Sequence, residues 1–382
     1  MNEPEQWWIG ALAQDGSAHD ADTLGRRVID LGPQHPTRAG LVGLRLWWDG
    51  DIVQAAEIQP GYLHRAAEKL FEVRDYRQVL MLADRHDWQA SFSGELVAAM
   101  ACEQVMGLTP PPRAVWLRTL LAEVARVGSH LAFLSWAGHS LRDAELSASI
   151  RRSRDDQRNL LLRLSGNRLH PMLSRLGGLA ADVDDEWLSE LDAWSGRVAG
   201  IDLAGAVARL ELPDGLGHID QNSINSRGIS GPAARASGAR ADLRRAPGYL
   251  AYSELEWPAP RTIDSGDAKG RFAQLAVEIG ESLALISQCA ARLASVSGPV
   301  DVKLSKIIKL PDSETWLSIE APLGVAGIHV VSRGGTTPWR FALRTPTFAT
   351  VNALQSALVG TPREHLDAVI ASLGWTIGDL DK

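Results

Sequence analysis

The hydrophobic positions change period along the chain. Leu41 to Trp48 and Ile52 to Ile58 read as two strands flanking Asp49-Gly50, a dipeptide that favours a tight hairpin turn, and Pro60-Gly61 ends them. From Tyr62 the apolar residues fall at helical spacings: Leu63, Leu70 and Val73, then Val79, Leu80 and Leu82, with Asp84 to Met106 continuing the run to a stop at Gly107. Pro110-Pro111-Pro112 opens a helix carrying Leu117, Leu120, Leu121, Val124, Gly128 and Leu131 three and four residues apart. Further helices are predicted over about Leu146–Leu164, over Trp187–Val198, and along Phe272, Leu275, Ile279, Leu283, Ile286 and Leu293. The tail alternates in short strands near 301–308, 315–320, 326–332 and 339–344, with helices near 348–359 and 363–372. Residues 166–183 and 212–262 show no sustained period. The pattern predicts an α+β chain, mainly α. Residues 1–30 form an arm or loop, 31–60 a β-hairpin module, 61–300 a core of long helices with an irregular 212–262 segment, and 301–382 a small β/α module.

Composition narrows the classes. The hydrophobic share of 45% and charged share of 22% are ordinary for a globular protein. A net charge of −7 gives no broad basic field, so nucleic acid is not an expected partner. The run Arg151-Arg152-Ser153-Arg154 is followed at once by acidic residues and reads as a solvated helix face. Cys102 and Cys289 are too few and too far apart for a disulfide framework or a metal site, and no Cys-x-x-Cys occurs. The acidic first residues lack the pattern of a secretory signal, and no apolar run approaches the roughly 18 residues of a spanning helix, so any membrane association is expected through partners.

The candidate chemistry sits early. No Walker A loop, dinucleotide-binding glycine pattern, His-Glu-x-x-His or Gly-x-Ser-x-Gly is present. His35, His64, His86, His130 and His170 all lie in the first half, and for any one of them a hydrogen-bonded structural imidazole is the simpler reading. Asp84-Arg85-His86-Asp87-Trp88 concentrates two carboxylates, a guanidinium and an imidazole in five positions. On a helix, Asp84 and Trp88 would share a face, and a surface helix with self-paired charges competes with a working site.

Eight segments in order carry a family resemblance. They are Gly32-Pro-Gln-His-Pro36; Gly61-Tyr-Leu-His-Arg65 with Glu68-Lys69; Asp84-Arg85-His86-Asp87; Arg126-Val-Gly-Ser-His130-Leu; Gly166-Asn-Arg-Leu-His170; Arg235-Ala-Ser-Gly238 with Asp242-Leu-Arg-Arg245; Val331-Ser-Arg-Gly-Gly335 with Pro338-Trp-Arg340; and Ile370-Ala-Ser-Leu373 with Gly378-Asp-Leu-Asp381. Together they resemble the D subunit of the proton-pumping NADH–quinone oxidoreductase, complex I, a relative of the nickel–iron hydrogenase large subunit. The resemblance implies a peripheral-arm subunit on the cytoplasmic side of the cell membrane. It would dock the complex's C subunit and the small subunit bearing the terminal iron–sulfur cluster. It would help pass electrons from NADH to quinone, coupled to proton translocation, and bind no cofactor or metal of its own. The nickel-binding cysteines of the hydrogenases are missing, so hydrogen activation is not expected.

The resemblance places Arg85 and His170 beside the partner's cluster. It places His35, Ala39, Trp88 and Ser140 at quinone-pocket positions, and three of these depart from the family. Ala39 stands for a histidine and Trp88 for a tyrosine, the two groups that meet the quinone carbonyls, and Ser140 stands for an aspartate that pairs with that histidine. The paired loss is coherent, because removing the histidine alone would strand a buried carboxylate. An indole donates a hydrogen bond but is no usable acid, so Trp88 could orient a headgroup without protonating it. No residue is assigned as catalytic; His35, His64, His86 or His139 could substitute as proton donors. The alternative is a non-catalytic paralogue that keeps the fold and the partner surface without quinone reduction.

Overall fold

Two sheets, one near each end of the sequence, bracket a helical body. The computed structural model describes residues 3–10, 27–31, 41–246, 249–261 and 263–382. The chain runs through strands β1 (Glu5–Ile9), β2 (Arg27–Ile29), β3 (Val42–Asp49) and β4 (Ile52–Gln59), then helices α1 (Ala67–Glu72), α2 (Tyr76–Ala83), α3 (Ser91–Met106), α4 (Pro112–Ser140) and α5 (Ala144–Ser165). The two-residue strands β5 (Ser174–Arg175) and β6 (Gly178–Leu179) precede α6 (Asp185–Ala199), α7 (Leu203–Ala208), α8 (Gln221–Arg227), α9 (Gly231–Arg235) and α10 (Ala268–Leu293). The chain closes with β7 (Ser313–Ala321), β8 (Gly324–Ser332), β9 (Arg340–Arg344), α11 (Pro346–Leu358), α12 (Leu366–Ser372) and α13 (Ile377–Leu380).

Helix α4 is the axis. Proline at its first position presets the helical dihedral, and its side chains are buried on every face from Trp116 to Leu134, the charged Arg118, Glu123 and Arg126 included. Helix α10 lies along it, started by Asp267, whose carboxylate accepts the Gly270 N–H at 2.7 Å. Trp136 stacks on Phe272 across the seam, rings parallel within 3° and 5.0 Å apart.

A buried charge network fills the polar part of that seam. Glu123 accepts from Tyr252 Oη and Ser282 Oγ, each at 2.6 Å, and from Arg244 Nη1 at 3.1 Å. Arg235 bridges Glu278 at 2.7 Å and Glu320 at 2.6 Å, and His130 Nε2 meets Glu278 at 3.1 Å. The aperiodic segment around Arg235 to Tyr252 is thus held by side-chain charges rather than by a continuous apolar stripe. His130 follows its structural reading.

The structure differs from the sequence-based expectation in three places. Residues 1–30, expected as an arm or loop, contribute β1 and β2 to a four-stranded sheet of order β2-β1-β3-β4, because the buried Trp7 and Ile9 pair with the β3 register. The strand expected near 301–308 is absent; Val300 and Val302 instead make backbone bonds to Leu179 and Gly177, and the C-terminal sheet is a three-stranded meander β7-β8-β9. The continuous helix expected through Asp84 is broken. Helix α2 ends at Ala83, and Asp87 accepts the Gln89 N–H on its side chain (3.1 Å) and the Ala90 N–H on its carbonyl (3.1 Å), a turn that competes with the helix. Asp84 and Trp88 therefore do not share a helical face.

Candidate functional site

The turn from Asp84 to Ala90 meets the loop that follows α5. Gly166 ends α5 in the left-handed conformation, and Asn167 Oδ1 then accepts the backbone N–H of Leu169 and of His170, each at 3.0 Å. This carries His170 back to the fully buried Asp84. His170 Nδ1 lies 3.5 Å from Asp84 Oδ2, and Arg85 Nε lies 2.8 Å from Asp84 Oδ1. Met172 adds a thioether 3.7 Å from Arg85 Nη2, and Ser91 Oγ donates to the Leu169 carbonyl. Arg85 and His170, separated in sequence by the whole of α3, α4 and α5, thus stand side by side over one carboxylate, 40% and 20% exposed.

Behind them lies Glu95 of α3, which the sequence reading missed. It is fully buried; Oε1 accepts the N–H groups of Leu173 (3.0 Å) and Ser174 (3.2 Å), and Oε2 has no partner among the described residues. Burial pushes its carboxyl up to about 8, and the neighbouring Asp84 charge adds to the rise against the lowering effect of the backbone donors. The signal was a single acid in the apolar run Ser91-Phe-Ser-Gly-Glu-Leu-Val-Ala-Ala, directly after a glycine.

His86 faces the other way. It is buried, with no aligned hydrogen bond at either ring nitrogen among the described residues, and its ring stands edge-on to Phe71 at 6.1 Å. Burial lowers its pKa to about 4. It is a neutral imidazole at neutral pH and no reservoir of protons. His64 and His139 are exposed.

Trp88 packs on the C-terminal turn. A Cβ at Gly378 would lie 2.3 Å from Trp88 Cζ3 and 2.5 Å from the His86 carbonyl oxygen, so only glycine fits. The next residue, Asp379, accepts the Thr347 N–H at 3.0 Å, and Asp381 accepts those of Gly61 (2.7 Å) and Leu63 (2.8 Å). Burial, and then the Asp379 charge, raises the Asp87 carboxyl above its usual range; burial raises that of Asp379 as well. A narrow cavity beside Trp88 is lined by Gln89, Phe92, Gly128, Arg154 and Leu169, with Arg154 Nη2 2.7 Å from Gln89 Oε1. Ser140 is exposed at the end of α4, roughly 18 Å along the axis from Gly128 at the usual helical rise, and does not line this cavity. His35 and Ala39, with the Gly32–Pro36 loop, lie outside the described residues.

The arrangement offers a cation and an imidazole on an outer face and an indole on an inner one. Among the described residues no group of histidine, cysteine and acidic side chains could hold a metal ion, and both cysteines are buried. The donors Arg85 and His170 suit an iron–sulfur cluster held by another chain, since guanidinium and imidazole N–H groups can approach cluster sulfur without ligating iron. No helix among the described residues is long and apolar enough to cross a membrane.

Comparison with known proteins adds four findings. Residues 146–382 match the family model described as respiratory-chain NADH dehydrogenase, 49 Kd subunit. The chain is 40% identical over 376 residues to the D 2 subunit of the NADH-quinone oxidoreductase of Salinispora tropica, covering 96% of each chain. It is 39% identical over 380 residues to the D 1 subunit of the Streptomyces coelicolor enzyme, covering 96% of this chain and 97% of that one. A chain in the structure of the membrane-bound sulfane sulfur reductase, an archaeal respiratory membrane complex, superposes with a TM-score of 0.84 at 30% identity, covering 92% of this chain and 97% of the other.

Proposed function

The chain belongs to the 49 kDa-subunit family of respiratory-chain NADH dehydrogenases, and from this premise we propose that it is the D subunit of an NADH–quinone oxidoreductase, passing electrons from a partner's terminal iron–sulfur cluster to quinone. The observation that carries the reading is the convergence of Arg85 and His170 on Asp84. The partner's cluster supplies electrons one at a time. Arg85 would present positive charge toward it, both Arg85 and His170 would present N–H groups, and these would stabilise its reduced form, with Asp84 fixing the orientation of both side chains. On the quinone side, Trp88 presents an aromatic face and a hydrogen-bond donor, anchored by Gly378, with the Asp87 and Asp379 carboxyls close behind.

In this reading the chain docks the small cluster-bearing subunit and the C subunit, and sits peripherally on the cytoplasmic side of the cell membrane within a proton-translocating complex. Several similar relatives bear the numbered names D 1 and D 2, which supports a role as one of two copies. The test is affinity purification of the native assembly followed by NADH–quinone assay. The partners are expected to co-purify, and Arg85→Met and His170→Met each to lower the rate roughly tenfold in an intact complex. A chain recovered without those partners, or an unchanged rate in the Arg85→Met, His170→Met double variant, would overturn the reading.

A further inference from the structure

Helix α5 reaches the Trp88 turn through one buried cation. The run Arg151-Arg152-Ser153-Arg154, expected as a solvated helix face, divides: Arg151 and Arg152 are exposed, whereas Arg154 is only 5% exposed and turns inward. Its Nη2 donates to Gln89 Oε1 at 2.7 Å, across 65 positions of sequence. Burial, and next the charge of Arg158, lowers the Arg154 pKa to about 10; it stays a cation at neutral pH, and the bond to Gln89 is charge-assisted.

Both ends of this contact are held. Two buried indoles of α6 donate to carbonyls of α5, Trp187 Nε1 to Leu160 at 3.0 Å and Trp194 Nε1 to Ser153 at 2.8 Å. Against α4, a Cβ at Gly128 would lie 2.8 Å from Gln157 Cδ, so the glycine admits the turn of α5 that follows Arg154. Gln89 is fixed from its own side as well, because its N–H donates to Asp87 Oδ1 at 3.1 Å. Trp88 lies between Asp87 and Gln89, with its ring against Gly378. The cavity that Trp88, Gln89 and Arg154 share measures about 20 Å³, room for one water molecule and not for a quinone ring.

We propose that Arg154 is a positioning residue: through Gln89 it fixes the turn that presents the Trp88 indole to quinone, and it touches no substrate itself. The inference rests on the quinone-side reading of Trp88. A merely structural Arg154 would join α5 to the body and nothing more. Its loss would then disturb α5 as a unit, and α5 runs on through Gly166 into the loop that carries His170, so the cluster face would change too. An effect passed through Gln89 stays on the quinone side.

The test uses the assembled complex carrying Arg154→Met, Gln89→Leu, both together, or Arg154→Lys. Quinone titration of the NADH–quinone rate gives KM and kcat, and EPR-monitored redox titration gives the potential of the partner's terminal cluster. Arg154→Met and Gln89→Leu are each expected to raise the quinone KM roughly three- to tenfold with little change in kcat. The double variant should be no worse than either single one, because both remove the same contact. Arg154→Lys, which still donates to Gln89, should recover part of the loss, and the cluster potential should match the parent throughout. Effects that multiply in the double variant, a parental KM in Gln89→Leu, or a shifted cluster potential in Arg154→Met overturn the inference alone. If Arg154→Met does not assemble, the KM values of Gln89→Leu and Arg154→Lys decide. A parental KM in Trp88→Phe overturns the quinone-side reading of Trp88, and a parent complex that does not reduce quinone overturns the D-subunit reading; the inference falls with either.

Discussion

Trp88 and the two carboxyls behind it give the residue scale its sharpest tests. Trp88→Phe keeps most of the packing on Gly378 and removes the indole N–H. Under the proposed role of Trp88 in orienting quinone, this change is expected to raise KM roughly two- to tenfold with little change in kcat, measured by quinone titration of the complex. Equal loss in kcat would instead place the indole in the chemical step. Asp87 and Asp379 both lie above the ordinary carboxylate range, so the native state binds protons that the unfolded chain releases. Their contribution to stability is complete in acid, below the unfolded values, and is lost as pH rises through the elevated ones. Asp379→Asn keeps an acceptor for the Thr347 N–H and removes the repulsion. Thermal denaturation should therefore show the variant gaining on the parent at neutral pH but not in mild acid; an equal difference at both pH values would sink the idea. None of this could be read from the pentapeptide. Its charges fit a self-paired helix surface equally well, and only the tertiary position of Gly378 and Asp379 decides between the readings.

Helix α3 shows how an element places a site. Alanine is normally the better helix residue, by about 1 kcal/mol over glycine, so Gly94→Ala on propensity alone would stabilise the protein. Here the added Cβ would lie 2.2 Å from the Ala83 carbonyl oxygen at the end of α2, which cannot swing aside. Overpacking of this kind costs about 1–3 kcal/mol and wins, so the urea midpoint is expected to fall; a rise would mean the two helices separate freely. The long elements were legible because their signals are local: the apolar faces of α4 and α10, the Asp49-Gly50 turn, and Gly166 as a stop. Strand β1 was not, because its pairing partner β3 lies well beyond it in sequence and a short Trp-rich segment has no period of its own. The break after Ala83 was missed for a related reason, since the Asp87 turn competes with a helix that the spacing of apolar residues would otherwise continue.

At the scale of the molecule, the charge network between α4, α10 and the Arg235–Tyr252 segment takes over where apolar patterning stops. Arg244 is fully buried and bonded to Glu123 and to Asp242 (2.7 Å). Arg244→Met would take from Asp242 its bonded guanidinium and leave Glu123 with Arg126 as its only buried cation among the described residues, and is expected to cost about 3–5 kcal/mol of stability, read from chemical denaturation; a cost below about 1 kcal/mol would show that the segment is held by other contacts. The resemblance of eight short segments reached the family, and the structure brings its Arg85 and His170 together over Asp84. It did not reach Glu95, because no rule of spacing marks which carboxylate in an apolar helix will be left with an uncommitted oxygen.

The pairing of α4 with α10 also has a temporal side. Helices α5 to α9 and the long irregular segment separate the two in sequence, yet each supplies half of the central seam. A mostly helical chain would ordinarily be expected to collapse quickly through near neighbours. This one must close a very large loop before its axis is buried, and the entropy of that closure is spent before the Trp136–Phe272 stack or the charge network returns anything. Its folding should therefore be slow for its helix content, with the two terminal sheets and the α2–α3 region able to form early and the Arg244 network locking late.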